Sequence, residues 1–188
     1  MNVNDRIWFE GNPWPEGHAL EEFAWTARVK DGVVWFDLHL VTVDYDAERE
    51  IEDDESANYS NWTAPIAWNN FHACTISSTE WHCGGFPVCA VGDYSVESLD
   101  GYVARVDALP LGEDWDHDEL AFHTYLLGHD SVAGHVIRFV RREGGDRFDI
   151  EWEGKIALTY SGEDEFRYSF KARMHDVAAP VPVVVDGE

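Results

Sequence analysis

FRYSFKARM, residues 166–174, decides the fold class. Phe166, Tyr168, Phe170, Ala172 and Met174 alternate with Arg167, Ser169, Lys171 and Arg173. A period of two sets an apolar face against a wet one, which is the pattern of a half-buried strand. FDIEW repeats it, with Phe148, Ile150 and Trp152 opposite Asp149 and Glu151. FAWTARV does so with Phe23, Trp25, Ala27 and Val29.

Turn chemistry separates these runs. Asp31-Gly32 is a two-residue hairpin signal, and Gly144-Gly145 parts HVIRFVRRE from DRFDIEW in the same way. SGED starts a third turn at Ser161, and Gly154 marks a bulge or a break. VVWFDLHLV, from Val33, is apolar on both faces and reads as a doubly covered strand. DHDELAFHTYLLGHD fits a helix with an acidic first turn or a strand from Leu120 to Leu127; antiparallel neighbours on both sides favour the strand. The expectation is all-β: an antiparallel sandwich or flattened barrel of about ten strands with little helix. Residues 1–188 then form one domain, with an acidic loop over 44–64 and a loosely packed tail over 177–188.

Charge narrows the function classes. The chain carries 37 Asp and Glu against 13 Lys and Arg, a net −24. Such a field repels nucleic-acid phosphates and anionic membrane surfaces, so neither is an expected partner. It suits solubility and can steer a basic protein. The start MNVNDRIWFEG lacks a basic and then apolar leader, and no run is long enough to span a bilayer. Three cysteines do not form a disulfide framework. A cytoplasmic, reducing location is expected, and the sequons at Asn58 and Asn61 are then chance matches.

All three cysteines lie in FHACTISSTEWHCGGFPVC, residues 71–89. On a strand, His72 and Cys74 share a face about 6.5–7 Å apart, close enough for one metal. Cys83 and Cys89 join them if Gly84-Gly85 turns the chain back, and thiolate with imidazole suits zinc. Against this, the spacing lacks the C-x2-C pair of structural zinc sites, and buried cysteines are ordinary core residues. Cys83 before two glycines also fits a thiol active site, but adjacent His82 would point away from it on a strand.

Other patterns carry less. His117, His123, His129 and His135 recur every six residues. A straight strand spaces neighbouring members about 20 Å apart and a helix turns them apart, so the recurrence reads as coincidence. Asp114, Asp116 and Asp118 resemble the start of a calcium loop, but Glu119 and Tyr125 stand where it needs Gly and Glu. Nucleotide, α/β-hydrolase and zinc-protease motifs are all missing. Trp14 sits between two prolines, and Trp62, Trp68 and Trp81 flank the polar stretch 58–70. Exposed, such residues make a sugar platform or a protein hot spot; tucked in, Trp14 is a lid on the core.

The expected function is therefore non-catalytic binding, with a basic protein as partner. Its contact residues are Trp14, Trp62, Asp44, Asp46, Glu52 and Asp53. The alternatives are a zinc-binding protein or metalloenzyme using His72 and Cys74 with Cys83 or Cys89, otherwise without a cofactor, and a carbohydrate-binding module.

Overall fold

A computed structural model describes residues 2, 4–52, 58–81 and 84–185. Its strands are β1 (Arg6–Phe9), β2 (His18–Lys30), β3 (Val33–Thr42), β4 (Thr75–Ser77), β5 (Phe86–Ala90), β6 (Val103–Val106), β7 (His123–Tyr125), β8 (His129–Arg141), β9 (Arg147–Ala157), β10 (Tyr168–Ala178) and β11 (Val183–Val184). One short α-helix, α1 (Pro65–Asn69), and four single 3-10 turns complete the described residues.

Strands β1, β2, β3, β4, β7, β8, β9 and β10 pair in that order, all antiparallel, and β10 pairs back onto β1. They close an eight-stranded up-and-down barrel. Strands β4 and β7 are short and fill only one half of the wall between β3 and β8. Below them β5 pairs with the first half of β3, and β6 with the second half of β8. The tail returns as β11, parallel to β2, with Val183 and Val184 exposed. No helix among the described residues is long and apolar enough to cross a membrane.

Alternation positions the core. Phe148, Ile150 and Trp152 point into the barrel and are fully buried, as are Ala172 and Met174 of β10, with Phe170 nearly so. Phe36, Leu38 and Leu40 meet them from β3. An eight-stranded barrel is just wide enough for side chains to fill, and here aromatic rings do most of the filling. Trp152 lies 4.7 Å from Phe122 and 5.8 Å from Phe170, ring centre to ring centre. The Asp31-Gly32 hairpin forms as its chemistry requires, both residues having positive φ (51° and 75°).

Three local expectations change. FHACTIS is not one strand: only Thr75–Ser77 pair, and His72 has a left-handed φ of 65°. The segment 116–128 is neither a helix nor one long strand. It makes a 3-10 turn at His117–Glu119 and then the short strand β7. Phe166 lies outside β10 and packs on Trp115 instead of the core.

Gly154 lies within β9, on the inward face opposite a bulge in β8. A Cβ there would sit 2.5 Å from Phe170 Cε1 and 2.9 Å from His135 Nδ1. Gly154→Ala is expected to cost about 2 kcal/mol, as overpacking does. A denaturant titration checks it; an unchanged midpoint would contradict the packing.

Candidate functional site

The two tryptophans expected at a contact surface are core residues. Trp14 is 2% exposed and Trp62 3%. Both seal the end of the barrel where β1 turns into β2. Asn12 Oδ1 accepts the Trp14 amide and tightens the turn. The Trp14 indole N–H donates to the Arg49 carbonyl (2.7 Å), that of Trp62 to Glu10 (2.9 Å) and that of Trp68 to Trp62 (2.8 Å). His18 stacks on Trp68, 6.2 Å between centres. Burial holds the His18 imidazole down at about 4, so it is neutral. Every indole in this plug has a partner, and neither Trp14 nor Trp62 offers a face to a sugar.

The acidic loop folds over this plug. Tyr45 is buried and donates its hydroxyl to the Leu126 carbonyl (3.1 Å). Glu48 takes Arg6 through both oxygens (2.9 and 2.7 Å), and Arg49 meets Glu16 (2.8 Å). Asp44, Asp46 and Glu52 are left pointing into solvent. Asp53 lies outside the described residues.

The expected metal nucleus does not assemble. His72 is exposed while Cys74 is fully buried, so they face different surroundings and share no strand face. Burial pushes the Cys74 thiol up to about 12, far from the thiolate a metal needs. Cys74 hydrogen-bonds at Thr42, whereas Cys89 pairs with Val34 at the other end of β3. Eight residues of strand separate those points by about 26 Å. Cys83, with His82, lies outside the described residues. Among the described residues no three His, Cys, Asp or Glu side chains are grouped to hold a metal ion.

Three of the histidines spaced six apart, His117, His123 and His129, converge, so their recurrence is not a coincidence without structural meaning. The turn at Leu126–Gly128 reverses the chain, so His123 faces Ser131 and Tyr125 faces His129 across the hairpin. The loop before β7 folds back over this hairpin and brings His117 to 4.1 Å from the His123 ring. His117 Nδ1 is 2.7 Å from Ser131 Oγ, and His123 Nε2 donates to the His117 carbonyl (2.9 Å). His135 departs because the bulge between Ala133 and Val136 adds a residue and turns its side chain inward. The readable signal was LLGHD: a hairpin there places residues six apart beside each other.

Aromatic rings extend this cluster across the surface. Trp81 stacks on His123 and stands edge-on to His129 at 5.7 Å. His129 meets Tyr125, Tyr125 meets Phe71, and Phe71 meets Tyr160. Trp81 is 36% and Tyr160 66% exposed. Buried Asp130 positions this strip by accepting the amides of Leu127 (3.0 Å) and Tyr160 (3.2 Å), tying the β7–β8 turn to the β9–β10 connection. His72 lies next to Phe71, and its carbonyl accepts the Tyr45 amide (2.7 Å), so Asp44 and Asp46 border the strip.

On the other side a groove runs between two connections. Asp107 pins the loop over 107–121 at both ends: its carboxylate accepts the Ala121 amide (2.9 Å) and its carbonyl the Gly134 amide (2.7 Å). Facing it is the connection over 158–167. Two hollows of about 500 and 580 Å³ lie between them and share Trp115 and Asp164. Asp114, Asp116 and Asp164 line them, and among the described residues none of the three is in an ion pair.

Most of the chain's own cations are occupied, including Arg167 in the 158–167 connection, which pairs with Glu163. Among the described residues, nine of the 13 Lys and Arg side chains sit in ion pairs. On the outer wall, Arg6 faces Arg173, Arg173 faces Glu151 and Glu151 faces Arg138. Beside that row Lys171 binds Glu153 (2.8 Å).

With this geometry in hand, comparison with known proteins adds no relative: no family model, curated protein or solved structure matches the chain.

Proposed function

We propose that this protein is a non-catalytic binding protein whose partner is basic, and that the partner docks on the aromatic–histidine strip and its flanking carboxylates. One observation supports this above the rest: the unpaired acids border exposed aromatic rings, while most cations of the chain are neutralised by its own carboxylates. Partly exposed aromatics give an interface its anchors, and unpaired carboxylates give it charge complementarity and fast association. The contact then lies around Phe71, Trp81, Tyr160 and Asp164, with Asp44 and Asp46 at its margin; Trp14 and Trp62 support it from within. A reducing, cytoplasmic setting suits the free thiols of Cys74 and Cys89. Chemistry on a substrate is not part of the proposal, because both serine–histidine contacts among the described residues, His117–Ser131 and His39–Ser77, have the serine fully buried.

Immobilised protein tests this at about 50 mM salt, where surface electrostatics are weakly screened. Identified proteins of high isoelectric point should bind and be released by ~0.3 M salt. An Asp114→Asn, Asp116→Asn, Asp164→Asn variant should lose them. A variant with the same charge removed elsewhere, Glu21→Gln, Glu143→Gln, Asp146→Asn, should keep them. Equal retention by both variants would sink the assignment of the surface, and retention of no basic protein would sink the function.

A further inference from the structure

The groove between the 107–121 and 158–167 connections has the chemistry for one particular side chain. Its floor is apolar: Leu109 lies over Gly134, and Pro110, Trp115 and Phe166 continue the surface. Trp115 and Phe166 stand 5.5 Å apart, tilted by 57°, and both are half-buried. Carboxylates lie around the shared indole: Asp114 and Asp116 from one connection, Asp164 from the other. Asp116 has one oxygen committed, Oδ1 accepting the Asp118 amide at 3.0 Å.

Two aromatic rings among the described residues already carry cations supplied by the chain itself. Trp35 carries Arg28 and Lys30 at 5.5 and 5.9 Å, and Tyr168 carries Arg167 at 4.9 Å. Among the described residues Trp115 carries no cation, although three carboxylates surround it.

We infer that this groove is an arginine-recognition site: a guanidinium of the basic partner lies against Trp115 and is held by Asp164 with Asp114 or Asp116, while the partner's flanking apolar residues cover Leu109, Pro110 and Phe166. The inference rests on the reading of the protein as a receptor for a basic partner. Arginine is favoured over lysine for a physical reason. Guanidinium is planar, stacks on an indole and forks to two acceptors, whereas an ammonium is a compact, strongly hydrated point charge.

The test uses the full chain and three synthetic peptides of sequence Leu-Xaa-Leu with blocked ends, Xaa being arginine, lysine or citrulline. Citrulline keeps the shape of arginine without the charge. Binding is followed by the indole N–H signals in two-dimensional NMR at low salt. Arginine should bind at least fivefold more tightly than lysine, and citrulline should not bind measurably. Trp115→Phe should weaken the arginine peptide several-fold and Asp164→Asn at least tenfold, with the rest of each spectrum unchanged. Equal affinity for arginine and lysine, or shifts confined to indoles other than Trp115, would overturn the inference. If the immobilised protein still retains basic partners in that event, the binding function stands and only this pocket falls. If neither peptide nor partner binds, the function falls with it.

Discussion

Trp152→Ala is expected to lower stability by about 5 kcal/mol. The indole is fully buried at the centre of the barrel, against Phe122, His135 and Phe170. Deleting a buried Trp side chain costs about 3–5 kcal/mol through lost burial and the cavity left behind. A second loss adds to it. The Trp152 indole N–H is the donor to His135 Nδ1 (3.1 Å), and His135 Nε2 has no other hydrogen-bond partner. Removing the donor leaves Nδ1 of a fully buried imidazole unpaired, worth about 1–3 kcal/mol. For a chain of this size the melting temperature should fall by roughly 10–20 °C. Trp152→Phe, which keeps most of the volume and loses only the N–H, should cost about 2 kcal/mol. Scanning calorimetry of the two variants separates the terms. Equal losses would show that the hydrogen bond, and not the cavity, dominates.

The second large effect is acid lability. Burial, first among its causes, holds His18 down to about 4, and burial holds His135 down to about 3. Both are neutral in the native protein and titrate near 6.5 once the chain unfolds. As pH falls below 6.5 the unfolded chain takes up protons that the native one refuses, so stability drops until the folded values are reached. By pH 4.5 each histidine accounts for about 2.5 kcal/mol. Other groups act in the opposite sense. Asp107 and Asp130, raised by burial, favour the folded state when protonated, and acid also relieves the net charge of −24. The diagnostic quantity is therefore a difference. In a His18→Gln, His135→Gln variant the denaturant midpoint should fall much less between pH 7 and pH 4.5 than in the native sequence. Parallel profiles would mean that these histidines are not the buried neutral groups the fold makes them.

What the sequence made legible follows from range. FDIEW and its neighbours announced β9 because alternation is local, and Asp31-Gly32 announced the β2–β3 hairpin because two residues settle it. The choice between an open sandwich and a closed barrel was not legible. It depends on β1 meeting β10, Arg6 against Arg173 and Trp8 against Lys171, and no local pattern records a contact between opposite ends of a chain. The site was lost for a related reason. His117, His123 and His129 were measured along a straight strand, and a hairpin folded the ruler. His135 was lost to one extra residue in a bulge. Trp14 was legible as a lid, since two flanking prolines and Asn12 fix a turn that points the ring inward. Asp44, Asp46 and Glu52, expected at the contact, are exposed, whereas Asp114, Asp116 and Asp164 border the groove without any local pattern that marks them, beyond an incomplete calcium loop at the first two.

Hydrogen–deuterium exchange of the full chain, with and without a nine-residue arginine peptide at low salt, tests the binding surface most directly. Slowed exchange should appear in the connections over 107–121 and 158–167 and around Phe71, Trp81 and Tyr125, and should vanish in the Asp114→Asn, Asp116→Asn, Asp164→Asn variant. Protection spread evenly over the acidic surface, or centred on other elements and unchanged in that variant, would contradict a dedicated site for a basic partner.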